Sequence, residues 1–119
     1  MSAQESIVVH VSSQDTRDWQ MAVRNLVNLV NDDAVATSPE LMQVVVNGHA
    51  VRYLLATSPE SERVTAMAEA GVDIRACENS LERFGYDPEN LADGVGTVPS
   101  GVAEVVRVQQ RGNTYLKLP

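Results

Sequence analysis

The sequence predicts an α/β fold in which helices cover both faces of a five-stranded, mostly parallel sheet, giving a three-layer sandwich. Two observations support this prediction. Short runs rich in Val, Ile and Leu alternate with segments of helical periodicity along the chain. Several of these runs are apolar at nearly every position, which is typical of strands that are buried on both faces. Because strand–helix–strand crossovers are right-handed, the alternation places the strands in parallel with helices packed against the sheet.

A β-branched run predicts the first strand, at Ile7 to Val11. The polar residues that follow are suitable helix N-caps. Apolar residues then recur at helical spacing, which predicts an amphipathic helix with one buried stripe. The stripe consists of Trp19, Ala22, Val23, Leu26, Val27 and Val30. Leu41 to Val46 is predicted as the second strand, and the turn Asn47-Gly48 ends it.

Two helical segments are predicted between the second and third strands. Apolar positions within residues 51–55 indicate a short helix. A longer helix is expected to have Ser58 as its N-cap and Pro59 as its first residue, because proline is favoured at that position. This helix is expected to end at Gly71, which is a suitable C-cap. The third strand is predicted at Val72 to Ala76.

Shorter elements are predicted after the third strand. A short helix begins just after Cys77 and runs to Gly85, and a helical turn follows at residues 87–89. The fourth strand is predicted at Val95 to Val98.

The last helix and the last strand complete the alternation. A helix that ends at Gly112 is expected to bury one face, formed by Val102, Val105 and Val106. Thr114 to Leu118 is predicted as the fifth strand. For this five-stranded sheet the order 2-1-3-4-5 is expected.

Length and composition restrict the possible functions. The chain is expected to form one domain over residues 1–119, in which residues 1–6 are a flexible N-terminus. The net charge of −7 argues against a nucleic-acid-binding surface, because phosphate binding requires clustered Lys and Arg. No window approaches the ~20 continuous apolar residues of a membrane span. One unpaired cysteine suits a reducing compartment, so a cytoplasmic location without membrane association is predicted.

The sequence lacks cofactor and metal motifs. It has no phosphate-binding loop of the Gly-x-x-x-x-Gly-Lys type, no Gly-x-Gly-x-x-Gly fingerprint and no Gly-x-Ser-x-Gly elbow. One cysteine and two separated histidines are a poor set of zinc ligands. We therefore expect neither a bound cofactor nor a metal site.

The loops that leave the strands are expected to meet at one edge of the sheet, where the carboxyl ends of parallel strands lie. These loops are Ser12-Ser13, Asn47-Gly48-His49, Cys77-Glu78-Asn79 and Pro99-Ser100-Gly101. With the order 2-1-3-4-5, the order reverses between the first and third strands, and ligands of open sheets bind at such a switch point. Cys77 is expected to lie at its rim.

Cys77 is the only cysteine, and its position beside a predicted helix N-terminus makes it the candidate reactive group. A free thiol with a pKa of ~8.5 is less than about a tenth thiolate at neutral pH. A helix N-terminus stabilises the thiolate by ~0.3–1 kcal/mol. The Glu78 carboxylate opposes this by about 0.7 kcal/mol in water, or about 3 kcal/mol at an effective dielectric of about 20. Whether the pKa of Cys77 is lowered or raised therefore depends on whether Glu78 points to solvent.

Each candidate residue also has a purely structural explanation. Cys77 can fill a gap at the strand end as a small hydrophobe. His49 can donate to a thiolate or shuttle a proton, but it can equally be a solvated loop residue, and His10 is expected to be a core histidine. Asn47-Gly48 can be a tight turn. Ser100-Gly101 can bind an anion through backbone N–H groups or simply cap a helix.

Four stretches of the chain resemble the DsrE-like (DsrE/DsrF-like) family of small sulfur-relay proteins. They are Val8-Val9-His10-Val11-Ser12, Val44-Val45-Val46-Asn47-Gly48, Ala76-Cys77-Glu78-Asn79-Ser80-Leu81 and Val98-Pro99-Ser100-Gly101-Val102. The resemblance runs from Ile7 to Lys117. The chain is more similar to the stand-alone, poorly characterised branch than to the multi-subunit relay proteins.

The resemblance implies a flavodoxin-like sheet and association into homo-oligomers, either trimers or hexamers. It also implies that sulfur is carried as a persulfide on the cysteine after the third strand, which is Cys77 here. The matching residues of the surrounding loops are Asn47, Gly48, Asn79, Pro99, Ser100 and Gly101. The family often has threonine where Ser80 stands, which keeps the hydroxyl.

Two functions of different classes follow, and a third is less favoured. The first is a cytosolic carrier that accepts sulfane sulfur on Cys77 and passes it to a partner thiol. It requires a sulfur that solvent can reach and that the N–H groups of Glu78 and Asn79 stabilise, with the Asn47 amide nearby. The alternative is a non-catalytic oligomeric or small-ligand-binding module in which Cys77 is structural. The third is a redox-sensing thiol that forms a sulfenic acid. The sequence leaves open whether the protein is an enzyme and which proteins donate and accept the sulfur.

Overall fold

Parallel strands form one five-stranded sheet in the part of the chain that the structure, a computed structural model, describes: residues 6–35 and 37–119. The strands are β1 (Ile7–Val11), β2 (Met42–Val46), β3 (Asp73–Cys77), β4 (Gly96–Val98) and β5 (Thr114–Leu118). The α-helices are α1 (Thr16–Val30), α2 (Ser61–Glu69), α3 (Glu78–Phe84) and α4 (Gly101–Gln110). Short 3₁₀ segments occupy Pro39–Leu41, Gly48–Leu54 and Pro88–Asn90. The predicted α/β class with a parallel sheet is confirmed.

The strand order is β4-β3-β2-β1-β5, so the predicted order 2-1-3-4-5 is wrong. β2 lies in the middle of the sheet, where Val44 pairs with Val9 of β1 on one side and with Ile74 of β3 on the other. The physical reason is burial. β2 is buried at all but one position, whereas the edge strands β4 and β5 carry partly exposed side chains. The more apolar strand takes the central position because both of its faces are covered there.

Helices cover the two faces of the sheet unequally. From β1 to β4 each crossover steps to the next strand in the same direction, so right-handedness puts α1, α2 and α3 on one face. The connection after β4 returns across the sheet to β5, and α4 therefore packs on the opposite face. Val9 and Val44 belong to the larger core, under the first group of helices. The smaller cluster, under α4, consists of Val8, Val45, Val105 and Val108.

The face that α4 buries differs from the predicted one. Val105 is buried as expected, but Val102 and Val106 are 57% and 48% exposed. The buried positions are Gly101, Glu104, Val105 and Val108, which follow the spacing i, i+3, i+4 and i+7. Glu104 can occupy this face because its carboxylate accepts a hydrogen bond from the Gln43 side chain at 2.9 Å.

The helix α2 begins two residues later than predicted. Its first residue is Ser61 and its N-cap is Glu60, while Ser58 and Pro59 belong to the preceding turn. The Ser58 hydroxyl accepts the backbone N–H of Glu60 at 3.0 Å, within that turn. Serine and proline are favoured in turns as well as at helix starts, so the pattern alone did not separate the two.

The N-terminal prediction falls mostly on residues 1–5, which lie outside the described residues. Ser6 is described, and its carbonyl oxygen accepts the N–H of Thr114 at 3.0 Å, beside the start of β5. Within residues 6–35 and 37–119, no helix combines the length and the apolar character needed to cross a bilayer.

Candidate functional site

The chain leaves β3 and β4 toward opposite faces of the sheet, and this divergence defines the switch point. β3 continues into α3 on one face, whereas β4 leads through Pro99 and Ser100 into α4 on the other. A crevice forms outside the carboxyl ends of two such strands. The predicted switch point between the first and third strands is wrong, because the strand order differs. Cys77 nevertheless lies at the carboxyl edge of the sheet beside this switch point, as the last residue of β3.

Cys77 lies between the end of β3 and the starts of two helices. Only 5% of its surface is exposed, so the expected access of solvent to the sulfur is small. Burial raises the pKa of the thiol, but the Ser80 hydroxyl and the backbone N–H groups of Gly101, Ser80 and Asn79 direct donors at it, and the net effect is a lowered pKa. Within the described chain, Cys77 makes no side-chain capping hydrogen bond as the N-cap of α3.

Ser80 supplies the side-chain donor to Cys77. Its oxygen accepts the backbone N–H of Gly48 at 2.8 Å, so the hydroxyl proton is free to turn toward the sulfur. Gly48 has a φ of +68°, a left-handed conformation that glycine adopts without strain. The loop after β2 thereby polarises the hydroxyl that stabilises the thiolate.

Gly101 allows α4 to approach the thiol closely. A Cβ atom at this position would lie 3.3 Å from the Cβ of Cys77, 3.2 Å from the Cβ of Asn47 and 3.2 Å from Cγ1 of Val45. These separations are shorter than the optimal distance between carbon atoms. A side chain here would push α4 away from the sheet and withdraw the N–H of Gly101 from the sulfur.

Asn47 lies next to Cys77 but is bound to His10. Asn47 directly follows β2 as Cys77 ends β3, and the two strands pair in parallel. Oδ1 of Asn47 lies 2.6 Å from Nε2 of His10. Because an amide oxygen can only accept, Nε2 carries the proton, and Nδ1 accepts from the Tyr115 hydroxyl 3.2 Å away. The donors that lower the pKa of Cys77 thus come from α3 and α4 rather than from the Asn47 amide.

The Glu78 carboxylate points toward Thr97, a residue of β4. Its Oε2 accepts a hydrogen bond from the Thr97 hydroxyl at 2.6 Å, and the residue is exposed. Solvent screening therefore weakens its repulsion of the Cys77 thiolate. The sequence predicted that the backbone N–H groups of Glu78 and Asn79 stabilise the Cys77 thiolate. The N–H of Asn79 lowers the pKa of Cys77 as expected, but the N–H of Ser80 does so in place of that of Glu78.

His49 and Ser100 take part in contacts of their own. The ring of His49 stacks on Phe84 with 4.4 Å between ring centroids, and its Nε2 lies 2.8 Å from the Tyr86 hydroxyl. The Ser100 hydroxyl accepts the N–H of Ala103 at 3.2 Å, as the N-cap of α4. These contacts favour the structural explanation for both side chains.

Sequence reasoning assigned no role at the thiol to Ser80, His10 or Tyr115. Ser80 stands three residues after the N-cap Cys77, and a side chain at that position can reach back to the N-cap, so the spacing was an available signal. His10 interrupts an apolar strand, but its pairing with Asn47 depends on the strand order. No local signal connects Tyr115 with the site.

Other features lie away from the thiol. Among the described residues, no three His, Cys, Asp or Glu side chains come together as a group that could hold a metal ion. A groove of about 750 Å³ runs between α1 and α2, and Met21, Val27 and Met67 are among its lining residues. It lies on the outer side of the larger core and not at the edge of the sheet that carries Cys77.

Comparisons with known proteins agree with this architecture. The sequence profile of the DsrE/DsrF-like family matches residues 7–118. No curated protein matches the chain. The solved structure of MTH1491, a protein of unknown function from Methanobacterium thermoautotrophicum, has 29% sequence identity and a TM-score of 0.85, over 95% of this chain and 98% of that chain.

Two further solved structures are similar in fold. The ychN protein from E. coli has 14% identity and a TM-score of 0.77, with 96% of this chain and 99% of that chain covered. BT1422, a conserved protein of unknown function from Bacteroides thetaiotaomicron, has 16% identity and a TM-score of 0.68, with 93% and 94% covered. Because the family profile spans nearly the whole sequence, the chain belongs to the DsrE/DsrF-like family.

Proposed function

We propose that the protein is a cytoplasmic sulfur carrier that holds sulfane sulfur as a persulfide on Cys77. The observation that carries this proposal is the set of donors around one thiol, from Ser80, Asn79 and Gly101, which lowers its pKa. A thiolate is the form that attacks sulfur, so these donors favour the reactive state. The DsrE/DsrF-like family is generally linked to sulfur relay, which supports this chemistry.

Loading is a nucleophilic displacement at sulfur. The Cys77 thiolate attacks the terminal sulfur of a donor persulfide, R–S–SH. A new S–S bond forms at Cys77, the S–S bond of the donor breaks, and the donor leaves as the thiolate RS⁻. Delivery is the same reaction with an acceptor thiolate as nucleophile and Cys77 as leaving group. Neither step needs an external oxidant or reductant, because one persulfide replaces another.

The lowered pKa of Cys77 serves both directions of this transfer. It increases the fraction of thiolate for loading and makes Cys77 a better leaving group for delivery. The chain contains no second cysteine that could resolve the persulfide into an internal disulfide.

The proposed carrier acts as a homo-oligomer, a trimer or a hexamer, with sulfur-donor and sulfur-acceptor proteins as partners. Val102 and Val106 are exposed on α4 at i and i+4, and apolar side chains in this arrangement are suited to contact with a second copy. The net charge of −7 does not suit a nucleic-acid partner.

A second candidate function is a non-catalytic oligomeric or small-ligand-binding module in which Cys77 is structural. The 5% exposure of Cys77 favours it, because many buried cysteines are inert. This alternative requires a thiol that does not react with alkylating reagents at neutral pH. It also requires Cys77→Ser to leave assembly and ligand binding unchanged.

Sulfur loading tests the proposal directly. The protein is incubated with a low-molecular-weight persulfide donor, the donor is removed, and the intact mass is measured. The carrier function requires wild type to gain the mass of one sulfur atom and Cys77→Ser to gain none. No gain in wild type, or an equal gain in both proteins, contradicts it.

A further inference from the structure

His10 lies on β1 and points to the face of the sheet that α4 covers. Its ring is held at both nitrogens, because Nε2–H donates to Oδ1 of Asn47 at 2.6 Å and the Tyr115 hydroxyl lies 3.2 Å from Nδ1. The two partners come from the strands on either side of β1, since Asn47 follows β2 and Tyr115 belongs to β5. The orientation of the ring and its tautomer are therefore both fixed.

This contact determines which way the Asn47 amide points. With Oδ1 bound to His10, the two Nδ2 hydrogens of Asn47 must be directed elsewhere. The Cβ atoms of Asn47 and Cys77 both border the space where Gly101 has no side chain, at 3.2 Å and 3.3 Å from the position of a Cβ there. The side chains of Asn47 and Cys77 thus leave the backbone beside the same small space at the start of α4.

A second sulfur atom on Cys77 would occupy a position different from that of the thiol sulfur. An S–S bond of about 2 Å carries the terminal sulfur outward by that distance. Ser80, Asn79 and Gly101 already surround the thiol sulfur, and the Asn47 amide is not one of its donors. We propose that the Asn47 amide donates to the terminal sulfur of a Cys77 persulfide and that His10 is the positioning residue that aims this amide.

This inference rests on the proposed carrier function and deepens it by assigning separate donors to the two sulfur atoms. The donors from α3 and α4 stabilise the thiolate, and the pair His10–Asn47 retains the transferred sulfur. Changes at His10 should therefore alter how long sulfur is held and leave the acidity of the free thiol unchanged. A general disturbance of packing would change both properties.

The test compares retention of sulfane sulfur with thiol acidity in the same variants. Wild type, His10→Phe and His10→Gln are loaded with a low-molecular-weight persulfide and desalted, an excess of a low-molecular-weight thiol is added as sulfur acceptor, and the loss of one sulfur is followed by intact mass. Phenylalanine keeps an aromatic ring but has no donor, whereas the glutamine amide can donate to Asn47. Alkylation rates of the unloaded proteins across pH report the thiol.

We expect His10→Phe to lose the sulfur about three to ten times faster than wild type, which is the effect of one hydrogen bond, and His10→Gln to retain it like wild type. The alkylation profiles of all three proteins should coincide. Should His10→Phe not fold, Asn47→Ala carries the test with the same expected loss. If His10→Phe or Asn47→Ala retains the sulfur as long as wild type does, or if its alkylation profile shifts, the role of the His10–Asn47 pair is wrong and the carrier function is unaffected. Failure of wild type to load removes the carrier function and this inference with it.

Discussion

The Ser80 hydroxyl accepts the backbone N–H of Gly48 at 2.8 Å, and this contact joins the loop after β2 to the helix after β3. A hydroxyl has one proton to donate, and this arrangement leaves it for the sulfur of Cys77. Loop position and thiol acidity are therefore coupled through one oxygen atom. Loss of that oxygen would leave the Gly48 N–H without its partner and would withdraw a donor from the thiolate.

Replacement of Ser80 should raise the pKa of Cys77. The side chain of Ser80 is the largest of the influences that lower this pKa, and burial, which raises it, would remain. We expect the alkylation profile of Ser80→Ala to move by about one pH unit toward alkaline values, since a hydrogen bond to a charged group contributes about 1.5 kcal/mol. Ser80→Thr is the matched control, because it keeps the hydroxyl and should keep the wild-type profile. Coincident profiles for the alanine variant and wild type would exclude Ser80 as the donor.

Replacement of Gly101 should destabilise the fold in spite of the helix preference of alanine. Alanine is favoured over glycine in helices by about 1 kcal/mol. The three contacts at 3.2–3.3 Å around its Cβ oppose this, and overpacking of this kind costs about 1–3 kcal/mol. Urea denaturation of Gly101→Ala should show a lower unfolding free energy, and its thiol should titrate at higher pH. Gln110→Ala, at an exposed position on the same helix, should stay within about 0.5 kcal/mol of wild type. A stabilised Gly101→Ala variant would mean that α4 can shift without cost.

Strand positions could be predicted because a buried strand is a continuous run of apolar, often β-branched residues in the sequence. Ile7 to Val11 is β-branched at most positions, and the strand occupies these same residues. The strand order could not be obtained in this way, since a run of apolar residues does not indicate which strands pair with it. Met42–Val46 is apolar at nearly every position, whereas Thr114–Leu118 mixes polar and apolar residues. This difference in the sequence indicates that the second of these strands lies at an edge of the sheet.

The candidate site could be predicted in part for the same reason. Every strand of a parallel sheet ends at one edge, so Cys77, Asn47 and Gly101 were expected together without knowledge of the order. The His10–Asn47 contact required the order, because it crosses from β1 to the residue after β2. The direction of Glu78 depended on a side-chain contact with Thr97, which no spacing in the sequence encodes.

Glu104 should contribute stability that is lost in acid. Its carboxylate accepts hydrogen bonds from Gln43 and Arg107, and the first of these is the main reason that its pKa is lowered. A group with a lowered folded-state pKa contributes fully above its unfolded pKa of about 4.3 and loses the contribution as pH falls below that value. Glu104→Ala should unfold with about 1–3 kcal/mol less free energy near pH 7, and its deficit should shrink toward pH 3. Glu69→Gln, at an exposed position on α2, serves as control. A deficit that is constant over this range would assign the effect to packing alone.

His10 should produce a separate loss of stability at weakly acidic pH. Burial is the largest influence on its pKa and lowers it; the hydrogen bond with Asn47 raises it in part, and the charge of Lys117 lowers it further. The net pKa of the folded state is lowered, so the unfolded chain binds a proton near pH 6.5 while the folded ring stays neutral. Stability should therefore fall as pH falls through about 6.5, by up to about 1.4 kcal/mol per pH unit, until the folded ring is protonated as well. His10→Gln cannot titrate but can still donate to Asn47, so its unfolding free energy from urea denaturation should stay nearly level in this range. An equal decline in His10→Gln and wild type would mean that another group is responsible, because the variant has removed the only proton site at this position.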